Sequence, residues 1–293
     1  MGSIILWVVI GLLAALVIAW IYLRLHPHAF DNAMKKSFEQ SRTLMKKNAS
    51  DRIGKQIEIS REGKENVRVS VYEPKTADRK RIPVFIAHGG QFVDGDADQI
   101  DTLCSRLSDL ADAVLFNINY SPMDTHPFPY PQEEIADAVL WCGMHAERFG
   151  IDIHKTVMTG FSAGAYLLTE AAAMLKEKDF QVKGVIQCDP VIDDALVNLC
   201  IAGMHPGPVS IYISEKDQMY ARVATYREYM EKAGIASTVH PYADAWPGFI
   251  ERNNPEFMEK QQFAKDRAIS EEQAELAEAC LIHISGDIRS FAQ

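Results

Sequence analysis

At 293 residues, 47% of them hydrophobic and 24% charged, the chain is long enough for one large domain with a sizeable core and is not composed like a disordered protein. A formal net charge of −10, with no Lys/Arg patch interleaved with aromatics, argues against nucleic acid as a partner. Five scattered cysteines (Cys104, Cys142, Cys188, Cys200, Cys280), never spaced as C-x-x-C, make neither a disulfide framework nor a zinc site; they read as buried free thiols in a reducing compartment.

Residues 4–23 contain no charge and are mostly Ile, Leu, Val, Ala and Trp. At about 1.5 Å rise per residue such a helix spans about 30 Å, the thickness of a bilayer core. A cleaved signal peptide is the competing reading. It wants a basic n-region and a shorter apolar core, whereas here Trp20 and Tyr22 close the run as an interfacial belt would. An uncleaved single-pass anchor is therefore expected. Arg24, Lys35 and Lys36 follow it, which puts the remaining chain in the cytoplasm by the positive-inside tendency.

Phe30 to Asn48 has a helical rhythm and reads as an amphipathic helix, lying near the membrane or simply packed on a domain surface. Gln56–Ser60 and Val67–Glu73 alternate as a half-buried antiparallel pair, with Glu62-Gly63-Lys64 in the turn. The pattern then changes. Pro83–Ala87, Ala113–Ile118, Thr156–Thr159, Val185–Gln187 and Val209–Ile213 are short continuous apolar runs, suited to strands covered on both faces. Helical stretches separate them, with Ile100, Leu103, Leu107 and Leu110 on one face and Ile135, Val139 and Trp141 in another; Glu271–Ile284 is a last helix. This alternation predicts a mostly parallel sheet with helices on both sides.

In such sheets reactive groups gather at the carboxyl ends of the strands. After Ala87 comes His88-Gly89-Gly90-Gln91-Phe92-Val93-Asp94-Gly95, and after Thr159 comes Gly160-Phe161-Ser162-Ala163-Gly164. After Gln187 comes Asp189-Pro190, and after Ile213 comes Glu215-Lys216-Asp217. G-x-S-x-G between a strand and a helix is a nucleophile-elbow pattern. Its glycines are needed because side chains two residues either side of a strained serine would strike the neighbouring strand and helix. The helix N-terminus behind the serine favours developing negative charge.

These motifs together resemble the α/β-hydrolase superfamily, in its hormone-sensitive-lipase-like branch of esterases and lipases, from about Pro83 to about Glu251. HGGQFVDG resembles the branch's HGGGxxxG oxyanion loop. Tyr120-Ser121-Pro122, then His126-Pro127-Phe128-Pro129 and Asp137, resembles its YRLAPE…PFP…D stretch. GFSAG resembles GDSAGG, Glu215-Lys216-Asp217-Gln218-Met219 resembles the segment carrying the acid, and Trp246-Pro247-Gly248-Phe249 stands where the branch has H-G-F. The resemblance implies an α/β-hydrolase domain over 53–293; the residues before it are read from their own pattern as a membrane anchor over 1–25 and an amphipathic helical linker or small cap over 26–52.

It further implies Ser162 as nucleophile, the N–H groups of Gly89, Gly90 and Ala163 as oxyanion donors, Asp217 as the acid, and His88, Gly160 and Gly164 as motif residues. No cofactor or metal is implied. The substrate class is a small-molecule or lipid-like carboxylic ester, with short acyl chains favoured because only fifty-five residues separate Ser162 from Asp217 and leave little room for a cap. Gln91 departs from the branch's third glycine, and Pro247 stands at the position of its histidine. The base must then come from elsewhere. His240, in the strand-like Ser237–Tyr242, is the nearest candidate in sequence, and His283 on the last helix is another. The competing function is a hydrolase-fold ligand-binding protein that kept its pocket and lost turnover.

Overall fold

A computed structural model of the chain describes residue 24 and residues 29–75, 80–260 and 266–293. The anchor expected over 4–23 lies outside the described residues, and no described helix is long and apolar enough to cross a membrane. The chain forms two units, Met1–Thr43 and Leu44–Gln293. The described part of the first is helix α1, Ala29–Met45, which runs to the start of the second and carries mainly exposed side chains where these are described.

The second unit is built on one eight-stranded sheet in the order β1-β2-β4-β3-β5-β6-β7-β8. Its strands are β1 (Lys55–Ile59), β2 (Val67–Tyr72), β3 (Ile82–Ala87), β4 (Ala113–Asn119), β5 (Val157–Phe161), β6 (Gly184–Cys188), β7 (Val209–Ser214) and β8 (Ser237–Tyr242). β1 and β2 pair antiparallel, as does β2 with β4; every other pairing is parallel. The crossovers are helical: α2 (Asp101–Ala111), α3 (Tyr130–Met144), α4 (Ala163–Glu177), α5 (Asp194–Ile201) and α6 (Tyr220–Lys232), with α7 (Glu271–Phe291) closing the chain.

Alternate residues of the buried strands feed two separate cores. Phe85, Phe116 and Met158 pack with α3, α4 and α6 through Ile135, Val139, Leu167, Leu168 and Met230. Val84, Ile86, Leu115 and Val157 pack on the other face with Leu103 and Leu107 of α2 and Ile284 and Ile288 of α7. Two-sided coverage is why these strands read as continuous apolar runs. β1 alternates as expected, whereas β2 is buried on both faces except at Arg68, because it sits inside β1 and against β4.

One buried polar knot ties the antiparallel edge to α2. The Asp101 carboxylate accepts from Lys47 Nζ (2.6 Å), Ile53 N (2.8 Å), Gly54 N (3.0 Å) and Tyr72 Oη (2.7 Å). Burial alone would raise the Asp101 pKa, but these donors outweigh it and the net shift is downward. Asp101→Ala removes the acceptor of four donors and leaves the half-buried Lys47 ammonium with Glu256 at 2.9 Å as its remaining ion pair among the described residues. Chemical denaturation should show a loss on the order of 3–5 kcal/mol, the range seen when one partner of a buried ion pair is removed.

Candidate active site

β3 and β5 are neighbours in the sheet, yet their connections leave in opposite directions: α2 leads from β3 to β4, and α4 leads from β5 to β6. Ala87 pairs with Gly160, so the loops after β3 and β5 emerge side by side at this switch point, where open α/β sheets hold their ligands. The first loop begins at His88 and the second is Ser162 itself.

Ser162 has φ 48° and ψ −116°, a backbone state rarely taken by a side-chain-bearing residue. Its N–H donates to Cys188 O at 2.8 Å, which pins the turn to β6. The flanking glycines are obligatory. A Cβ on Gly160 would lie 2.5 Å from Ala165 N, and one on Gly164 would lie 2.3 Å from His88 O and 2.4 Å from Ala87 O. The first turn of α4 therefore rests directly on the ends of β5 and β3. Ser162 is partly exposed, and its hydroxyl has no hydrogen-bond partner among the described residues.

The loop after β3 is a tight turn in which Gly90 O accepts from Val93 N (3.1 Å) and Asp94 N (2.7 Å). Gly90 has φ 143°, and a Cβ there would fall 1.9 Å from Asp94 O. Gln91 and Phe92 follow at φ 52° and 68°, two successive non-glycine residues in the left-handed region. The Phe92 ring meets Phe128 and Tyr166 edge-on, each at 5.4 Å, and Tyr166 stands one helical turn after Ser162. The three rings make an apolar wall beside the elbow.

The donors are arranged differently from expectation at one position. Gly89 N is committed to Glu251 Oε1 at 2.8 Å, so its N–H is not free for an oxyanion. Gly90, Gln91 and Phe92 in the first loop and Ala163 after Ser162 have N–H groups that make no hydrogen bond among the described residues. Gln91 thus supplies in backbone what it lacks as a glycine. His88 is buried under the loop, stacked on Tyr120 at 4.4 Å with Nδ1 2.7 Å from Gly89 O; burial lowers its pKa. It braces the loop from beneath.

Asp217, in the turn after β7, accepts from Met219 N at 2.7 Å through Oδ1, and burial raises its pKa. Neither Asp217 nor Ser162 hydrogen-bonds a histidine among the described residues. The structure does not bring His240 to the elbow. It pairs in register with Tyr212, Tyr212 with Cys188, and Cys188 with Phe161, so three strand spacings of about 4.8 Å place it ~14 Å from Phe161. Tyr212, Cys188 and Phe161 face α7, and so does His240, whose Nε2 lies 3.6 Å from Asp287 Oδ2 under a stacked Tyr212 ring. His283 on α7 contacts Tyr242 Oη at 3.2 Å. Both histidines belong to the β8–α7 packing.

Two carboxyls that sequence reasoning gave no role occupy the gap. Asp189, the residue after β6, has φ 43° and accepts from Ser214 N and Gly248 N, both at 2.8 Å. It ties the end of β7, just before Asp217, to the loop that holds Pro247. Burial raises its pKa to about 6 against two opposing backbone hydrogen bonds. Glu251, on the single-turn helix Phe249–Arg252, is buried and shifted to about 7, again by burial first. Asp189 had a visible signal, a polar residue directly after a buried strand. Glu251 had none, because its partner Gly89 lies 162 residues away.

The central segment, residues 84–200, matches the family model of the alpha/beta hydrolase fold. Among curated proteins, esterase LipI of Mycobacterium tuberculosis is 31% identical over 109 residues, 36% of this chain and 34% of that protein. Ethyl acetate hydrolase of Pseudomonas putida is 30% identical over 157 residues, 52% of this chain and 49% of that protein. The chain thus spans between about a third and a half of the length of these relatives. Among solved structures, the thermostable metagenomic carboxylesterase EstE1 superposes with a TM-score of 0.68 at 22% identity, covering 90% of this chain and 97% of that one. An esterase of the archaeon Pyrobaculum calidifontis gives 0.66 at 21%, covering 89% and 92%. Residues 84–200 are thus similar to the alpha/beta hydrolase family, and the fold of the chain is the one these esterase structures share.

The two raised carboxyls set a pH dependence. Each binds its proton more tightly folded than unfolded, so each opposes folding as pH rises: Asp189 between about 4 and 6, Glu251 between about 4.5 and 7. In thermal melts the two carboxyls contribute a fall in Tm across that window, opposed by buried His205 and His88, which bind protons less tightly folded than unfolded. The fall should be smaller in Glu251→Gln, which removes one of the two titrations.

Proposed function

We propose that the protein is a membrane-anchored serine hydrolase of carboxylic esters, with short acyl groups, whose turnover is slowed by Pro247 at the family's histidine position. The observation that carries this reading is the Ser162 elbow: a strained, partly exposed serine whose hydroxyl, like the N–H groups of Gly90, Gln91 and Ala163 beside it, has no hydrogen-bond partner among the described residues. Ser162 Oγ attacks the ester carbonyl. Those three N–H groups receive the oxyanion, and removing one such donor typically costs about 100- to 1000-fold. The bond from the carbonyl carbon to the alcohol oxygen breaks, the alcohol leaves with the serine proton, and water then hydrolyses the acyl-serine to the carboxylic acid and free Ser162.

The wall of Phe92, Phe128 and Tyr166 next to Ser162 supports a small apolar group in the site. Ethyl acetate hydrolase, by its name, acts on an ester of that size. The uncharged residues 4–23 followed by Arg24, Lys35 and Lys36 support a single-pass anchor with a cytoplasmic domain.

Asp217 supports the acid role, since one of its carboxylate oxygens accepts no hydrogen bond among the described residues. What it lacks is a histidine. Without a base the serine hydroxyl is a poor nucleophile, and losing one triad member costs up to about a million-fold. Pro247 therefore also supports a second reading, a hydrolase-fold protein that binds an ester-like ligand and does not turn it over.

The two readings separate in one experiment. Hydrolysis of p-nitrophenyl acetate by the full chain should be slow, absent in Ser162→Ala, and faster in Pro247→His by about 100-fold or more, the range of a restored general base. Gain in Pro247→His from an inert parent favours the ligand-binding reading. Silence in all three contradicts an ester site.

A further inference from the structure

Glu251 is a buried carboxyl that makes no ion pair among the described residues, a costly feature to keep in a core. Leucine would fill a similar volume without that cost. What the carboxyl does instead is local. Oε1 accepts from Gly89 N at 2.8 Å and meets Gln99 Nε2 at 3.4 Å, while that same Gln99 Nε2 lies 3.2 Å from Gly89 O. His88 Nδ1 also reaches Gly89 O, at 2.7 Å. Both polar groups of the Gly89 peptide unit are thus held by side chains, and a Cβ on Gly89 would sit 2.4 Å from Glu251 Oε2.

The hold falls immediately before the strained part of the loop. Gly90 at φ 143°, Gln91 at 52° and Phe92 at 68° follow in turn, with Gly90 O taking the Val93 and Asp94 N–H groups, and conformations of this kind persist only where surroundings over-determine them. We propose that Glu251 is a positioning residue of the ester site, taking the Gly89 N–H and so fixing the turn that presents the Gly90 and Gln91 N–H groups to the oxyanion. The proposal rests on the ester-site reading above and adds a second link between the loops: the segment that carries Pro247 also orients the donors.

His88 through the shared Gly89, and Gln99, Asp189, Arg252, Tyr120 and the thiols of Cys104 and Cys188, are titratable, charged or polar groups around Glu251. None forms an ion pair with it among the described residues. The Gly89 amide is therefore the direct reporter of its charge state. An N–H bound to a carboxylate is held more strongly than one bound to a neutral carboxyl.

The test uses amide-detected NMR on the full chain, with labelling of Ser162 by a fluorophosphonate measured in parallel. In the wild type the Gly89 amide proton should move downfield as pH rises through about 7, with no such step in Glu251→Gln. In Glu251→Leu the amides of Gly90 and Gln91 should shift and broaden while those of the central strands stay in place. Ser162 labelling should then fall about tenfold or more, as expected from losing part of an oxyanion site, and Glu251→Gln, which keeps an acceptor oxygen, should recover most of it. A Gly89 amide that does not titrate, or Gly90 and Gln91 amides unmoved in Glu251→Leu, overturns the proposal. A wild type that is never labelled at Ser162 overturns the ester-site reading instead, and the amide shifts still decide whether Glu251 sets the loop. Should Glu251→Leu fail to fold, the wild-type titration and its loss in Glu251→Gln decide alone.

Discussion

The backbone of Ser162 is held at φ 48°, ψ −116°, a state that costs on the order of 1–3 kcal/mol and exists only because its surroundings impose it. β5 delivers the residue to the sheet edge, Cys188 O takes its N–H, and α4 leaves so sharply that Gly160 and Gly164 touch backbone on two sides. Much of the rest follows from that turn. The hydroxyl is displayed rather than buried, the N–H groups at the start of α4 stay unused by the helix, and the loop after β3 is forced up against the elbow. The fold concentrates strain where chemistry requires a fixed, solvent-facing serine.

Electrostatics at the rim are unusual for a site of this shape. Asp189, Asp217 and Glu251 all carry pKa values raised by burial, and Pro247, not a histidine, lies in the chain between the last two. With a histidinium among them, negative charge would be compensated. Here Asp189 and Glu251 instead bind backbone N–H groups of Gly248 and Gly89, so the carboxyls act as struts between loops. That role gives shape to the site without supplying a proton acceptor at Ser162 Oγ.

The sequence pattern was informative wherever structure is set by near neighbours. Continuous apolar runs such as Val84–Ile86 and Val209–Ile213 marked doubly covered strands, and G-x-S-x-G after β5 marked the elbow, because strand, turn and helix start are adjacent in the chain. What depends on register or long separation was not legible. β2 is buried on both sides because of β4, not because of its own alternation. His240 was correctly read as part of a strand, but only the β7–β8 register fixes its row and turns it toward Asp287. Gly89 has the composition of an oxyanion donor, and only a glutamate 162 residues later removes its N–H from that duty.

The central claim is that Ser162 is a nucleophile with an intact oxyanion site and no adjacent base. Intact-mass spectrometry after exposure to p-nitrophenyl acetate tests it most directly, since this leaving group needs no proton while release of the acyl group needs an activated water. A single acetyl group accumulating on Ser162, absent in Ser162→Ala and shorter-lived in Pro247→His, is the expected result. No adduct on Ser162, or one on another residue that persists in Ser162→Ala, would contradict it.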